Sequence, residues 1–335
     1  MHLPRIALRT FSTAAFLAAS VTASAFGQGP AASDSAGASQ PARPIAATPR
    51  LGGYIQVREV AQERVGLTAF LNRARVSIDG SLPSAFSYRA LVELEASAGA
   101  RNPATVSLRE AIVRWSAVPW TVTAGEFKTP FTREYLIPVP ALELADLATA
   151  IDSIAPRYDV GVMGEVAMGA TAALAVGVFN GEGANAIANR DSTVMIVARA
   201  TARPLAQLGL GASAARDGAD SLRWGLDATV QELGVGVRAE MLTRHVRGRP
   251  ARRDEFGWTV LETLRLLPRL QLIARQEDYQ RPLVGAPRRV RGAAWAAGFD
   301  VAPARARLLL ELSQRWSGPR QLRADTWIAQ VQAQF

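Results

Sequence analysis

The sequence predicts an all-β protein: a transmembrane antiparallel β-barrel of about sixteen strands with short periplasmic turns and longer extracellular loops. Three observations lead there. In the C-terminal segment, Trp327, Ala329, Val331, Ala333 and Phe335 share one parity, and Thr326, Gln330, Gln332 and Gln334 mostly share the other. Side chains of a strand alternate faces, so this segment shows one face to hydrocarbon and one to water. Second, tight connections alternate with longer polar ones. Third, Trp115, Trp120, Trp224, Trp258, Trp295, Trp316 and Trp327 all fall on the apolar parity of their strands and near strand ends. Amphipathic rings placed at the headgroup level give this pattern.

Read from the N-terminus, Arg5 and Arg9 precede the short apolar run Thr10 to Val21 and the small-x-small site Ala23-Ser24-Ala25. These are the parts of a secretory signal peptide, expected over residues 1–25. The run is too short to span a bilayer, and no later stretch is long and apolar enough to be a transmembrane helix. Residues 26–50 are rich in Ala, Ser, Pro, Gly and Gln and bury too little apolar surface to offset ordering entropy. They read as a flexible periplasmic leader. The remainder, 51–335, is sized for one medium barrel.

From Gly53 onward the chain breaks into segments of alternating character, predicting strands over 53–58, 67–81, 86–96, 105–117, 120–127, 158–168, 171–180, 193–201, 207–215, 222–231, 234–245, 256–266, 270–279, 293–301, 306–316 and 323–335. Within them Tyr88, Ala90, Val92 and Leu94 oppose Arg89, Glu93 and Glu95, and Val235, Val237, Ala239 and Met241 oppose Arg238, Glu240 and Arg244. Charge on one face and apolarity on the other fits water inside and lipid outside. Tight turns are expected at Val118-Pro119, Gly169-Ala170, Arg203-Pro204, Leu233-Gly234, Leu267–Arg269 and Ala302-Pro303, with long loops at 181–192, 246–255 and 280–292.

The chain has no cysteine, which excludes disulfides and thiolate metal sites. Net charge is +9, falling to +7 once Arg5 and Arg9 leave with the signal peptide, and Lys128 is the single lysine among 38 basic residues. Export, and the lack of a basic cluster interleaved with aromatics, argue against nucleic acid as the partner. Small anionic solutes and the phosphates of outer-membrane lipids suit the charge better. No cofactor or metal is expected, and after signal removal His245 is the only histidine left to act as a catalytic base. An enzyme is therefore disfavoured. A structural or adhesin barrel remains as an alternative, and the Ala- and Gly-rich stretches near 169–177 and 207–215 suit either a quiet wall or a subunit contact.

The segment Gly125-Glu-Phe-Lys-Thr-Pro-Phe-Thr-Arg-Glu134 resembles the G-x-F-K-x-P-F-[ST]-x-E stretch of the phosphate-selective porin O and P family. Phe70 to Gly80 is similar to that family's early arginine-rich strand. Leu108 to Val113 resembles a further strand, with Ile112 where an aromatic is usual, and Tyr158 to Val162 followed by Val178 to Gly181 resembles a third pair of motifs. The resemblance implies a trimeric channel of the bacterial outer membrane for phosphate, polyphosphate or other small anions. It also implies a long third loop folded into the lumen. Lys128–Arg157 occupies that position. Leu142, Leu144, Leu147 and Ile151 among Glu143, Asp146 and Asp152 suggest a short amphipathic helix there, with Pro130, Pro138, Pro140 and Pro156 fixing the bends. The terminal Phe335 is the expected address for the barrel assembly machinery.

Arginine suits phosphate because its planar fork offers two parallel donors. Inward-parity arginines are Arg73, Arg75, Arg89, Arg114, Arg199, Arg238, Arg244, Arg275, Arg307 and Arg315. The candidate anion-binding residues are Arg73, Arg75, Arg114, Lys128 and Arg133, and the candidate constriction residues are Lys128, Pro130, Arg133, Glu134 and Arg157. The competing reading for each arginine is cross-strand pairing with Asp79, Glu93, Glu95, Glu110, Asp227, Glu240, Glu277 or Glu311.

Overall fold

The computed structural model describes residues 48–63, 65–83, 85–95, 105–186, 188–218, 220–247, 253–281, 288–318 and 322–335. The expected signal peptide and nearly all of the expected leader lie outside them. Sixteen strands follow: β1 (Arg50–Gln62), β2 (Gly66–Leu82), β3 (Phe86–Glu95), β4 (Thr105–Ala117), β5 (Trp120–Lys128), β6 (Tyr158–Met168), β7 (Ala172–Phe179), β8 (Met195–Leu205), β9 (Leu208–Asp217), β10 (Ser221–Glu232), β11 (Val235–Val246), β12 (Arg253–Leu267), β13 (Leu270–Arg281), β14 (Arg288–Ala302), β15 (Ala306–Ser317) and β16 (Leu322–Gln334). Each pairs with its sequence neighbours and β1 pairs antiparallel with β16, closing the barrel and leaving no sheet edge. Gly53 and Phe335 complete the seam by exchanging both backbone hydrogen bonds, each 3.0 Å.

The alternation read from the sequence is the alternation of the wall. Val76, Ile78, Val176, Val178, Leu226 and Val331 are exposed on the outside, while Arg75, Ser77, Asp227 and Gln332 are buried toward the lumen. No helix among the described residues is long and apolar enough to cross a membrane, so crossing rests on the strands.

Three details differ from expectation. β1, β12 and β14 run three or more residues beyond their predicted ends, into polar residues such as Arg288, Arg289 and Gln62. The hydrogen-bond ladder continues above the lipid, where side-chain polarity no longer reports on it. The β8–β9 turn falls at Ala206-Gln207, not Arg203-Pro204: a register shift between Ala202 and Leu205 absorbs the proline within the strand end. Third, the lumen is only partly wet. Inward positions Leu261, Ile273, Ala294, Ala296, Leu309 and Ile328 form an apolar cluster with Leu144 and Ala145. A second cluster joins Val197, Leu242 and Tyr279 to Phe131, Ala150, Ile151 and Ile154. Both are covered by the chain between β5 and β6.

Candidate pore constriction

That connection, loop 3 (129–157), folds into the barrel, and local sequence explains how. β4 pairs with β5 only from Ala111 opposite Glu126 downward. At the departure point Gly125 has φ +127°, and a Cβ there would collide with the Ala111 carbonyl oxygen, so only glycine fits. The foot of the loop is zipped shut. The Thr129 N–H donates to the Arg157 carbonyl at 3.3 Å, and its hydroxyl to the Pro156 carbonyl at 2.9 Å. Lys128 Nζ donates to the Tyr135 and Ile137 carbonyls at 2.6 and 3.0 Å and stands 5.0 Å from the Tyr135 ring centroid. Burial pushes the Tyr135 phenol well above its ordinary range, so it stays neutral beside this cation.

From there the loop crosses to the opposite wall through a four-residue helix, α1 (Arg133–Leu136). Arg133 Nε pairs with Asp227 on β10 at 3.1 Å, and the Arg133 and Glu134 N–H groups donate to the two Glu240 carboxylate oxygens on β11 at 3.1 and 2.7 Å. Further along, Arg307 donates to the Leu142 carbonyl at 2.8 Å. Arg238 holds Glu143 through two bonds of 3.1 Å. Arg58 reaches Asp146 at 3.0 Å, and Arg275 reaches the Asp146 carbonyl at 2.8 Å. Glu277 accepts from the Thr149 N–H and hydroxyl at 2.8 and 2.7 Å. A second helix, α2 (Thr149–Ile154), then presents Ala150, Ile151 and Ile154 to β11–β13, where Gly257 leaves room for Ala150. The predicted amphipathic helix is thus confined to these six residues. Leu142, Leu144 and Leu147 lie in irregular backbone, and Leu144 seats into the apolar cluster one side chain at a time.

A further basic stretch of wall is on β2–β4. Arg75 stands opposite Glu93 and makes a two-point pair with it, Nε–Oε1 3.0 Å and Nη2–Oε2 3.2 Å. Arg73 reaches the same carboxylate at 3.3 Å, and Arg109 bonds it from β4. Two β-bulges build this convergence. In β2, Gln56 faces Arg73 and Val57 faces Leu71, leaving Asn72 over. In β4, Leu91 faces Glu110 and Val92 faces Leu108, leaving Arg109 over. A bulge re-aims side chains, so Arg109 and Glu110, adjacent in sequence, both form lumen-side pairs, Glu110 with Arg89 at 2.7 Å. Alternation alone misses Arg109, and the signal available was two consecutive charges inside a strand.

Exposure separates the arginines into two sets. Side chains of Arg199, Arg238 and Arg275 are 5–8% exposed and hold loop 3 or its supporting carboxylates, whereas Arg73 and Arg109 are 28% and 23% exposed. Of the predicted residues, Arg73 and Arg75 meet at Glu93. Arg114 is exposed lower on β4, donating to Thr123 at 3.2 Å. Lys128, Pro130, Arg133 and Glu134 belong to the loop and its anchoring, and exposed Arg157 pairs with Asp152 at 2.7 Å.

A closed sixteen-strand barrel whose third loop narrows its lumen has the architecture of an outer-membrane porin. The family described as "Phosphate-selective porin O and P" matches residues 57–241, and the chain belongs to it. No curated protein matches the sequence. Solved structures show the same fold. A loop L8 deletion mutant of OmpT, an outer membrane protein of Vibrio cholerae, superposes with TM-score 0.67 at 13% identity, covering 86% of this chain and 99% of that one. The in-vitro folded trimer form of OmpT from the same organism gives 0.64 at 12% identity, with coverage of 86% and 99%. An anion-selective porin from Comamonas acidovorans gives 0.64 at 11% identity, again covering 86% and 99%. At such identities the likeness speaks for the fold alone.

Proposed function

We propose that the protein is a non-enzymatic, homotrimeric diffusion channel with a preference for small anions such as phosphate, secreted by cleavage after Ala25. The observation that carries this reading is the convergence of Arg73, Arg75 and Arg109 on the single carboxylate of Glu93. The three guanidinium groups gather positive charge at one place, and the partly exposed Arg73 and Arg109 present it to the water beside loop 3. An anion entering there exchanges part of its hydration shell for arginine donors. The family supports an anionic solute, and the trimer form of OmpT supports the assembly. Lys128, half-buried against loop carbonyls, serves as an anchor. Phosphate added at low concentration should reduce chloride current through the reconstituted protein. Chloride current indifferent to phosphate would reject phosphate as a preferred solute.

One observation favours a second, hydrolytic reading. His245 Nδ1 lies 2.7 Å from Asp254 Oδ1, and its Nε2 lies 3.4 Å from the Thr243 hydroxyl. This is the order of an oriented base beside a hydroxyl nucleophile, but the last contact is long for a hydrogen bond. Phospholipid hydrolysis by the purified protein, lost on His245→Ala, would establish it.

A further inference from the structure

Loop 4 (described over 180–186 and 188–194) does not stand up from the barrel rim; it folds down over the outer wall. Its placement follows from the inward turn of loop 3, which leaves the β4 backbone above Ala111 without a β5 partner. Asn185 fills that gap. It takes the left-handed conformation at φ 59°, which asparagine tolerates. Its side-chain amide accepts the Leu108 N–H at 3.2 Å and donates to the Leu108 carbonyl at 3.0 Å, as a neighbouring strand would. Its own N–H donates at 3.1 Å to Glu126, a carboxylate on the outward parity of β5 opposite Val160. Loop 4 thereby shields a charge that would otherwise meet the lipid boundary.

Beneath the loop is an open groove of about 480 Å³, lined by Val160, Val162 and Val178 from the wall and by Ala186, Ala188 and Val194 from the loop. The three wall valines are exposed members of the same outward face that runs down β6 and β7. The groove is thus continuous with the lipid-contacting surface. It lies at the loop end of its strands: Val160 and Val162 are near the start of β6 and Val178 is next to last in β7, while Arg216 on β9 pairs with Leu222, two positions above Trp224 on the same face of β10. Tryptophan marks the headgroup boundary. Arg216 is exposed and stands near the groove's Val194 by way of Gly218: its Nε donates to the Gly218 carbonyl at 3.2 Å, and the Gly218 N–H donates to the Val194 carbonyl at 3.4 Å.

We propose that the groove under loop 4 holds an acyl chain of an outer-leaflet lipid whose phosphorylated head group pairs with Arg216. The cleft is widely open and lined mainly by apolar side chains, so it suits a flexible acyl chain lying against the wall rather than an enclosed ligand. A guanidinium at headgroup level supplies the complementary charge for a phosphate. The inference does not depend on which ions the lumen passes.

The test is native mass spectrometry of the full-length mature protein extracted from outer membranes in mild detergent. Wild type should retain one lipid per protomer, and the retained mass distinguishes a phospholipid from lipid A. Val178→Trp, filling the groove, should lower occupancy at least tenfold, while Val237→Trp, on the outward face of β11, should leave it unchanged. Arg216→Ala should lower occupancy several-fold. If Val178→Trp fails to show the heat-modifiable mobility of a folded barrel, Ala188→Leu replaces it. Wild type without bound lipid, or equal retention in the groove variant, overturns the proposal. So does a lipid-free wild type whose trimers dissociate on Val178→Trp, because a second copy of the chain then fills the groove.

Discussion

Arg75 and Glu93 face each other across β2 and β3 in a two-point ion pair whose carboxylate is fully buried, and two further arginines lean on that same carboxylate. Glu93 is therefore the keystone of the basic wall. Glu93→Gln removes the carboxylate on which three guanidinium groups converge. Leaving buried charge unpaired costs about 3–5 kcal/mol, so the folded barrel should unfold at lower temperature or denaturant concentration. Any channel that forms should select anions more strongly. Denaturant unfolding in detergent and reversal potentials check the two effects together.

Arg73 and Arg109 are the water-exposed members of the cluster. Arg73→Ala with Arg109→Ala should shift the reversal potential toward zero while leaving the barrel folded, because Arg75 still satisfies Glu93 through two bonds. Single-channel recording in a salt gradient measures this, alongside Arg114→Ala, whose side chain stands apart from the cluster and should have the smaller effect.

Lys128 separates two roles by their readouts. As an anchor bonded to the Tyr135 and Ile137 carbonyls, its replacement by methionine should loosen the foot of loop 3 and raise conductance noise with little change in ion selectivity. Each charge-assisted bond lost amounts to about 1.5–3 kcal/mol. Selectivity falling with quiet conductance would instead place Lys128 in the ion path.

Much of this architecture is legible in the sequence because the barrel wall obeys one rule, alternation against lipid. Val176 and Val178 or Trp327 and Val331 announce their outward face with no help from tertiary context. The inner face follows a different rule where loop 3 lies on it. Leu242, Leu261, Leu309 and Ile328 break the polar parity of their strands, and those breaks are the imprint of the loop. The loop's own path was not readable, because its anchors are pairs such as Arg238 with Glu143, 95 residues apart in sequence. Arg109 was hidden for a local reason: a bulge shifts parity by one residue, and nothing short of the register reveals it.

The imprint yields a fourth prediction. Gly257 faces Ala150 of α2 so closely that a Cβ there would collide with the alanine methyl. Gly257→Val should lift α2 off β11–β13 and change conductance, whereas Leu144→Ala should cost about 2–5 kcal/mol by opening a cavity in the cluster around Leu261 and Leu309. Conductance and denaturant unfolding of the two variants distinguish displacement from simple destabilisation.

The central claim is that the arginine cluster beside loop 3 gives the lumen its ion preference. The most direct measurement is the reversal potential of the purified wild-type protein in a planar bilayer across a potassium chloride gradient. The account predicts a potential of the sign set by chloride. A potential set by potassium, or the absence of conductance steps, would contradict it.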